Sequence, residues 1–254
     1  MQNWRRKLNL PVPQHAKGDI GFDFSFAFQP IVDVRNREII SYEALVRGPR
    51  GEPSSEVFAH VPPKKFPVFD ELCRQKAIWL ASRLKIPNRL NLNLAPPGIY
   101  EVDMSITATF HASINSGIPV ENIVFEVLES ENLTDQRNLL KYLRVIQDFG
   151  FKTAIDDFGV GYSGLKLLVQ YQPNYIKLDR ELISNIQNNF VKQSVFLGIQ
   201  QICRSLSIEI VAEGVETAGE YHWLMEAGIG IFQGYYFARP AFEALPDVAS
   251  RLFA

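Results

Sequence analysis

The sequence predicts an α/β chain folded as a (β/α)8 barrel, and three observations carry that expectation. Short apolar runs alternate with longer amphipathic ones, which implies a mainly parallel sheet, because parallel neighbours need a crossover between them. Eight of the short runs read as strands. The length of 254 residues suits one barrel of this kind. A doubly wound open sheet is the alternative that the same alternation allows.

The strands are expected at 26–32, 39–47, 90–94, 123–128, 153–158, 175–178, 208–212 and 231–237, from their β-branched and aromatic content and the turn residues at their flanks. The third is an exception in composition, since its apolar residues are all leucine. Between them lie helical patterns. Phe69, Leu72, Cys73, Ala77 and Leu80, and likewise Leu139, Leu140, Leu143 and Ile146, recur at three- and four-residue spacing. Residues 183–206 are long enough for several turns. Residues 217–227 form a shorter helix, with Thr217 as N-cap and Glu220 completing a capping box.

Composition narrows the class. Apolar residues make up 46% and charged residues 21%, with a net charge of -2, so no bulk affinity for a nucleic acid polymer or an anionic membrane is expected. No apolar run approaches the roughly 18 residues of a membrane span. The basic start, residues 1–18, lacks an apolar core and reads as a flexible leader to one domain at 19–254. Cys73 and Cys203 form no CxxC pair, and the four histidines form no zinc motif. Two distant cysteines read as thiols in a reducing, cytoplasmic setting.

The informative polar residues lie in or just after the strands. Glu43 is in the second strand and Glu126 in the fourth. Asn91 and Asn93 alternate with leucines in the third, so both point one way. Asp156 and Asp157 close the fifth, Lys177 and Asp179 share a face of the sixth, Glu213 ends the seventh and Gln233 lies in the eighth. A carboxylate inside an apolar strand is costly unless paired or bound to a cation. Lys177 and Arg47 are too few to neutralise Glu43, Glu126, Asp156, Asp157 and Glu213. Crowded acids bind either protons or cations. Oxygen-only ligands, with Asn93 adding an amide oxygen, suit Mg²⁺ or Mn²⁺. Two such ions would clamp a displacement at phosphorus, with adjacent Asp156 and Asp157 serving both.

Two patterns suggest other chemistry. Gly159-Val160-Gly161-Tyr162-Ser163-Gly164 spells GxGxxG after a strand, as in dinucleotide-binding folds. Two aspartates immediately before it would repel a pyrophosphate, so a tight glycine turn beside the metals is the better reading. Lys177 on a barrel strand suits Schiff-base chemistry, but that needs a depressed pKa, and surrounding carboxylates raise it.

These residues resemble the EAL family. The resemblance runs in order through Phe28-Gln29-Pro30-Ile31-Val32, Glu43-Ala44-Leu45 with Arg47, Asn93-Leu94-Ala95-Pro96 and Glu126-Val127-Leu128-Glu129-Ser130. It continues through Asp156-Asp157-Phe158-Gly159, Tyr175-Ile176-Lys177-Leu178-Asp179, Ala212-Glu213-Gly214-Val215-Glu216-Thr217 and Phe232-Gln233-Gly234-Tyr235. It implies a modified barrel whose first strand is antiparallel, and hydrolysis of cyclic di-GMP to its linear dinucleotide. Glu43, Asn93, Glu126 and Asp156 would hold one metal, and Asp156, Asp157 and Glu213 the second. Lys177 would contact the attacking water. Gln29, Arg47, Asn93, Asp179 and Gln233 would face substrate, Arg47 through a phosphate. Glu129 and Glu216 would steady loops. The resemblance also implies a homodimer and, in a larger parent protein, a sensor or GGDEF partner domain. Val160 and Gly164 depart from the family's usual DFGTGYSSL loop. The competing expectation within the family is a catalytically silent domain that binds cyclic di-GMP or docks onto a protein; such relatives lack acids that are all present here.

Overall fold

The computed structural model describes residues 20–94, 102–128, 133–159 and 164–253. The strands are β1 (Ser25–Asp33), β2 (Glu38–Arg47), β3 (Arg89–Leu94), β4 (Ile123–Leu128), β5 (Lys152–Phe158), β6 (Tyr175–Leu178), β7 (Glu209–Ala212), β8 (Ile231–Phe232) and β9 (Ala241–Phe242). Strands β2 to β8 pair in chain order and in parallel, and β1 closes the ring antiparallel to both β8 and β2. The expected barrel and its reversed first strand are therefore both present.

Alternation sorts each strand's residues between two layers. Leu90, Leu92 and Leu94, Ile123, Phe125 and Val127, and Ile176 and Leu178 all join the large core between barrel and helices. The barrel interior keeps one small apolar cluster, Ile31, Val211 and Ile231. Its other inward positions include buried Ser41, Glu43, Asn91, Glu126, Lys177 and Gln233. The fold is thus held from outside the barrel, which leaves its mouth free for polar groups.

Several boundaries differ from expectation. The expected eighth strand at 231–237 stops at Phe232. Gly234 lies against the backbone of Val215, so close that a Cβ would stand 2.0 Å from the Val215 carbonyl oxygen, and the chain turns there. Strand β9 then pairs with β1 at Ala27 and Phe28, taking up the edge that β8 leaves. The expected helix at 183–206 is interrupted. Asn185 is left-handed at φ 55, and Asn189 caps a new helix, Phe190–Leu206, by accepting from the Lys192 N–H. Helices Ser54–Ala59 and Val102–Ser116 lie where no specific helix was expected, and Gly164–Gln170 follows the glycine loop. The capping box of Thr217 and Glu220 is present at the start of Ala218–Glu226.

Both cysteines are free thiols, Cys203 buried and Cys73 half-buried. Among the described residues no helix is long and apolar enough to cross a membrane. The leader at 1–18 lies outside the described residues.

Candidate active site

At the barrel mouth the inward carboxylates converge on one ammonium. Lys177, 1% exposed, places Nζ 2.8 Å from Asp156 Oδ1, 3.0 Å from Glu213 Oε2, 3.1 Å from Glu126 Oε1 and 3.3 Å from Glu43 Oε2. Burial alone would lower the lysine's pKa, but these four acids raise it well above the ordinary value. Four carboxylates this close favour the charged ammonium over the neutral amine that a Schiff base needs.

The acids divide by their local support. Glu43 suffers from burial, but Lys177, Gln233 Nε2 at 2.7 Å and Asn93 Nδ2 at 2.9 Å together lower its pKa. Glu126 is held well above the carboxylate range, first by burial and then by the charge of Glu43; Asn91 Nδ2 donates to its Oε1 at 2.7 Å. Its Oε2 is buried with no hydrogen-bond partner. Glu213 is pushed up to about 8 by burial, which Lys177 offsets only in part, with Asp156 and Glu43 adding repulsion. Asp157 is also raised, by burial and then by Asp156 and Asp179.

Adjacent residues in a strand face opposite sides, so Asp156 and Asp157 would ordinarily diverge. Here the β5–β6 register breaks between Ile155 and Phe158, and Asp157 takes a left-handed φ of 52. That conformation is uncommon outside glycine and is tolerated better by aspartate than by most residues. It brings Asp157 back to the cluster, so that ligand atoms of Asp156, Asp157 and Glu213 lie within 4.8 Å of one another. The run of two aspartates signalled the acids; the backbone irregularity that unites them was not readable from it.

The donor set fits a hard divalent cation. It is all oxygen, it carries more acid than Lys177 neutralises, and it leaves the buried Glu126 Oε2 without a partner. Asn93 turns its amide nitrogen toward Glu43.

The remaining expected residues surround this cluster. Gln29 accepts from Gln233 Nε2 at 3.3 Å and donates to the Ala238 carbonyl at 3.1 Å. Arg47 donates to its neighbour's carbonyl and lines a 420 Å³ cavity with Glu43, Asn93 and several phenylalanines. Asp179 has a structural task that the sequence reading did not give it: it caps Arg180–Ile183 by accepting from the Glu181 N–H at 2.6 Å. Glu216 pairs with Arg180. Glu129, and loop residues 160–163, lie outside the described residues.

Fold and site together define a barrel protein with a carboxylate-rich centre suited to divalent cations. The pattern of the EAL domain matches residues 18–240, and the chain belongs to that family. It is 31% identical over 225 residues to the blue light- and temperature-regulated antirepressor BluF of Escherichia coli, covering 88% of this chain and 56% of that protein. It is 29% identical over 238 residues to the probable cyclic di-GMP phosphodiesterase PdeN of the same organism, covering 85% of this chain and 43% of that one. The chain thus spans about half the length of these curated relatives. Among solved structures, a standalone versatile EAL protein from Vibrio cholerae O395, bound to c-di-GMP, superposes with a TM-score of 0.86 at 44% identity, over 90% of this chain and 96% of that one. Klebsiella pneumoniae BlrP1, as a calcium/cyclic di-GMP complex, gives 0.85 at 35% identity, over 93% of this chain and 59% of that one.

Proposed function

We propose that this chain is a divalent-cation-dependent phosphodiesterase that opens cyclic di-GMP to its linear dinucleotide. The observation that carries the reading is the set of inward carboxylates grouped around a single lysine at the barrel mouth. Glu43, Asn93, Glu126 and Asp156 would hold one cation, and Asp156, Asp157 and Glu213 would hold a second. Bound there, two Mg²⁺ or Mn²⁺ would supply Lewis-acid charge at the phosphodiester. Lys177 donates a hydrogen bond to the attacking water and keeps it oriented. Arg47 pairs with a phosphate oxygen, and Gln29, Asp179 and Gln233 fix the substrate's pose. The water oxygen bonds to phosphorus as one phosphorus–ribose oxygen bond breaks, and the proton that the water gives up is balanced by the one that ends on the departing ribose oxygen. Glu129 and Glu216 steady the loops around the site.

A homodimer in the cytoplasm, with sensor or GGDEF domains in a longer parent chain, belongs to the same reading. The named relatives are longer than this chain. The exposed Phe190 and Val191 offer apolar surface to a partner.

The second reading is a silent module that docks onto a protein, and one relative's name, an antirepressor, favours it. Incubation of purified protein with cyclic di-GMP and Mg²⁺ or Mn²⁺, with products separated by chromatography, distinguishes the two. The enzyme gives the linear dinucleotide, loses turnover on chelation and regains it with metal. Intact substrate under every metal condition supports the silent module.

A further inference from the structure

Beside the acid cluster lies a cavity of 230 Å³ lined by Gln29, Glu43, Glu213 and Gln233 and bounded by Arg180 and Glu216. Arg180 had no expected role. Its side chain leaves the first residue of the short helix Arg180–Ile183 that follows β6, crosses Gly214 and ends on Glu216, where Nη1 and Nη2 donate to Oε1 and Oε2 at 2.5 and 2.7 Å. Gly214 permits the crossing. Its φ is 67, and a Cβ there would stand 2.8 Å from Arg180 Cβ, 3.1 Å from Cγ and 3.3 Å from Cδ. The arginine stem therefore lies directly on bare backbone.

The turn beneath the stem is the one that carries Glu213. Its flanks are tied down by other bonds. The Glu213 N–H donates to the Leu178 carbonyl at 3.2 Å, and the Val215 N–H to the Gln233 carbonyl at 3.1 Å. The Glu216 and Thr217 N–H groups both donate to Glu220 Oε2 at 3.0 Å. The Arg180–Glu216 fork closes over the top. With side chains 54% and 32% exposed, this ion pair adds little to global stability. A bidentate fork instead fixes geometry. The geometry fixed here is local, since Glu213 Oε2 is already 3.0 Å from Lys177 Nζ and a looser turn would let it settle on the lysine alone.

We infer that Arg180 is a positioning residue: joined to Glu216 across Gly214, it straps down the turn that carries Glu213 and holds that carboxylate against Asp156 and Asp157. The inference deepens the cation-binding role proposed for Glu213 and rests on it.

Mn²⁺ titration of the metal-stripped full chain tests the strap without reference to turnover. Arg180→Met keeps the stem and removes the fork. It should weaken Mn²⁺ binding by roughly 10–100-fold, the range for lost outer-shell support, while the melting temperature stays within a few degrees. Glu216→Gln should do the same, the double variant should be no worse than either single one, and the exchanged pair Arg180→Glu/Glu216→Arg should recover most of the affinity. Arg180→Lys, which keeps the charge but not the fork, should fall in between. Wild-type Mn²⁺ affinity in Arg180→Met, or losses that simply add in the double variant, would overturn the strap. A wild-type chain that binds no Mn²⁺ would instead overturn the cation reading beneath it.

Discussion

On β4, Phe125 and Glu126 are adjacent, almost inaccessible at 0% and 1% exposure, and turned to opposite layers. Phe125 packs outward, edge-on to Phe151 with ring centroids 5.1 Å apart. Glu126 points into the barrel among like charges, with one oxygen unpartnered. Equal burial thus has opposite energetic meaning. Outside the barrel it removes apolar surface from water and stabilises the fold. Inside it strips a charge of solvent, a cost that only a proton or a cation relieves.

The largest expected effect falls on the inner layer. Asp156→Asn removes the carboxylate that both proposed cations share, and an amide carries no compensating charge. Turnover of cyclic di-GMP should drop by on the order of 10²–10³ or more, the scale of a lost electrostatic stabiliser, as read by product chromatography. Turnover near the wild-type level would remove Asp156 from the centre.

Phe125→Ala, one residue along the chain from Glu126, should do the reverse. Denaturant unfolding should show a loss of about 3–5 kcal/mol, while activity per folded molecule persists. A variant as stable as wild type but inactive would dissolve the distinction between the layers.

A smaller effect is expected from pH. Glu213 has its folded pKa raised to about 8 by burial. Such a group stabilises the fold most below its unfolded pKa near 4.5, and that contribution is lost as pH rises through about 8. The melting temperature of metal-stripped protein should therefore fall across this window. Because a cation must displace the Glu213 proton, Mn²⁺ affinity should rise over the same range. Affinity independent of pH from 6 to 9 would count against Glu213 as a ligand.

The outer layer was the more legible from sequence. The alternation of Leu90, Leu92 and Leu94 with Asn91 and Asn93 gave both strand and facing, and β4 and β6 fall within their expected bounds because the β-branched and aromatic runs end at clear turns. What was missed depends on backbone choices that period-two patterns do not encode. The left-handed Asp157, the turn at Gly234 and the break at Asn185 each interrupt a run whose residues still look regular. The acids of the site were legible because charge in an apolar strand is rare. The Arg180–Glu216 strap was not, since two exposed charged residues resemble any solvated pair.

Glu43 and Glu126 permit the most direct test of the claim that the inner acids await cations. Glu43 is lowered and stabilises the fold above its unfolded pKa, so Glu43→Gln should melt below wild type at pH 7.5 in chelator. Glu126 is raised and its ionisation opposes folding, so Glu126→Gln should melt above wild type there. The deciding measurement is the melting of wild type and Glu126→Gln side by side, in chelator and in saturating Mn²⁺. The variant should melt higher in chelator, and wild type higher in Mn²⁺, because only the carboxylate binds the ion tightly enough to gain from it. Wild type melting higher in chelator, or an order that Mn²⁺ leaves unchanged, would contradict a centre built for cations.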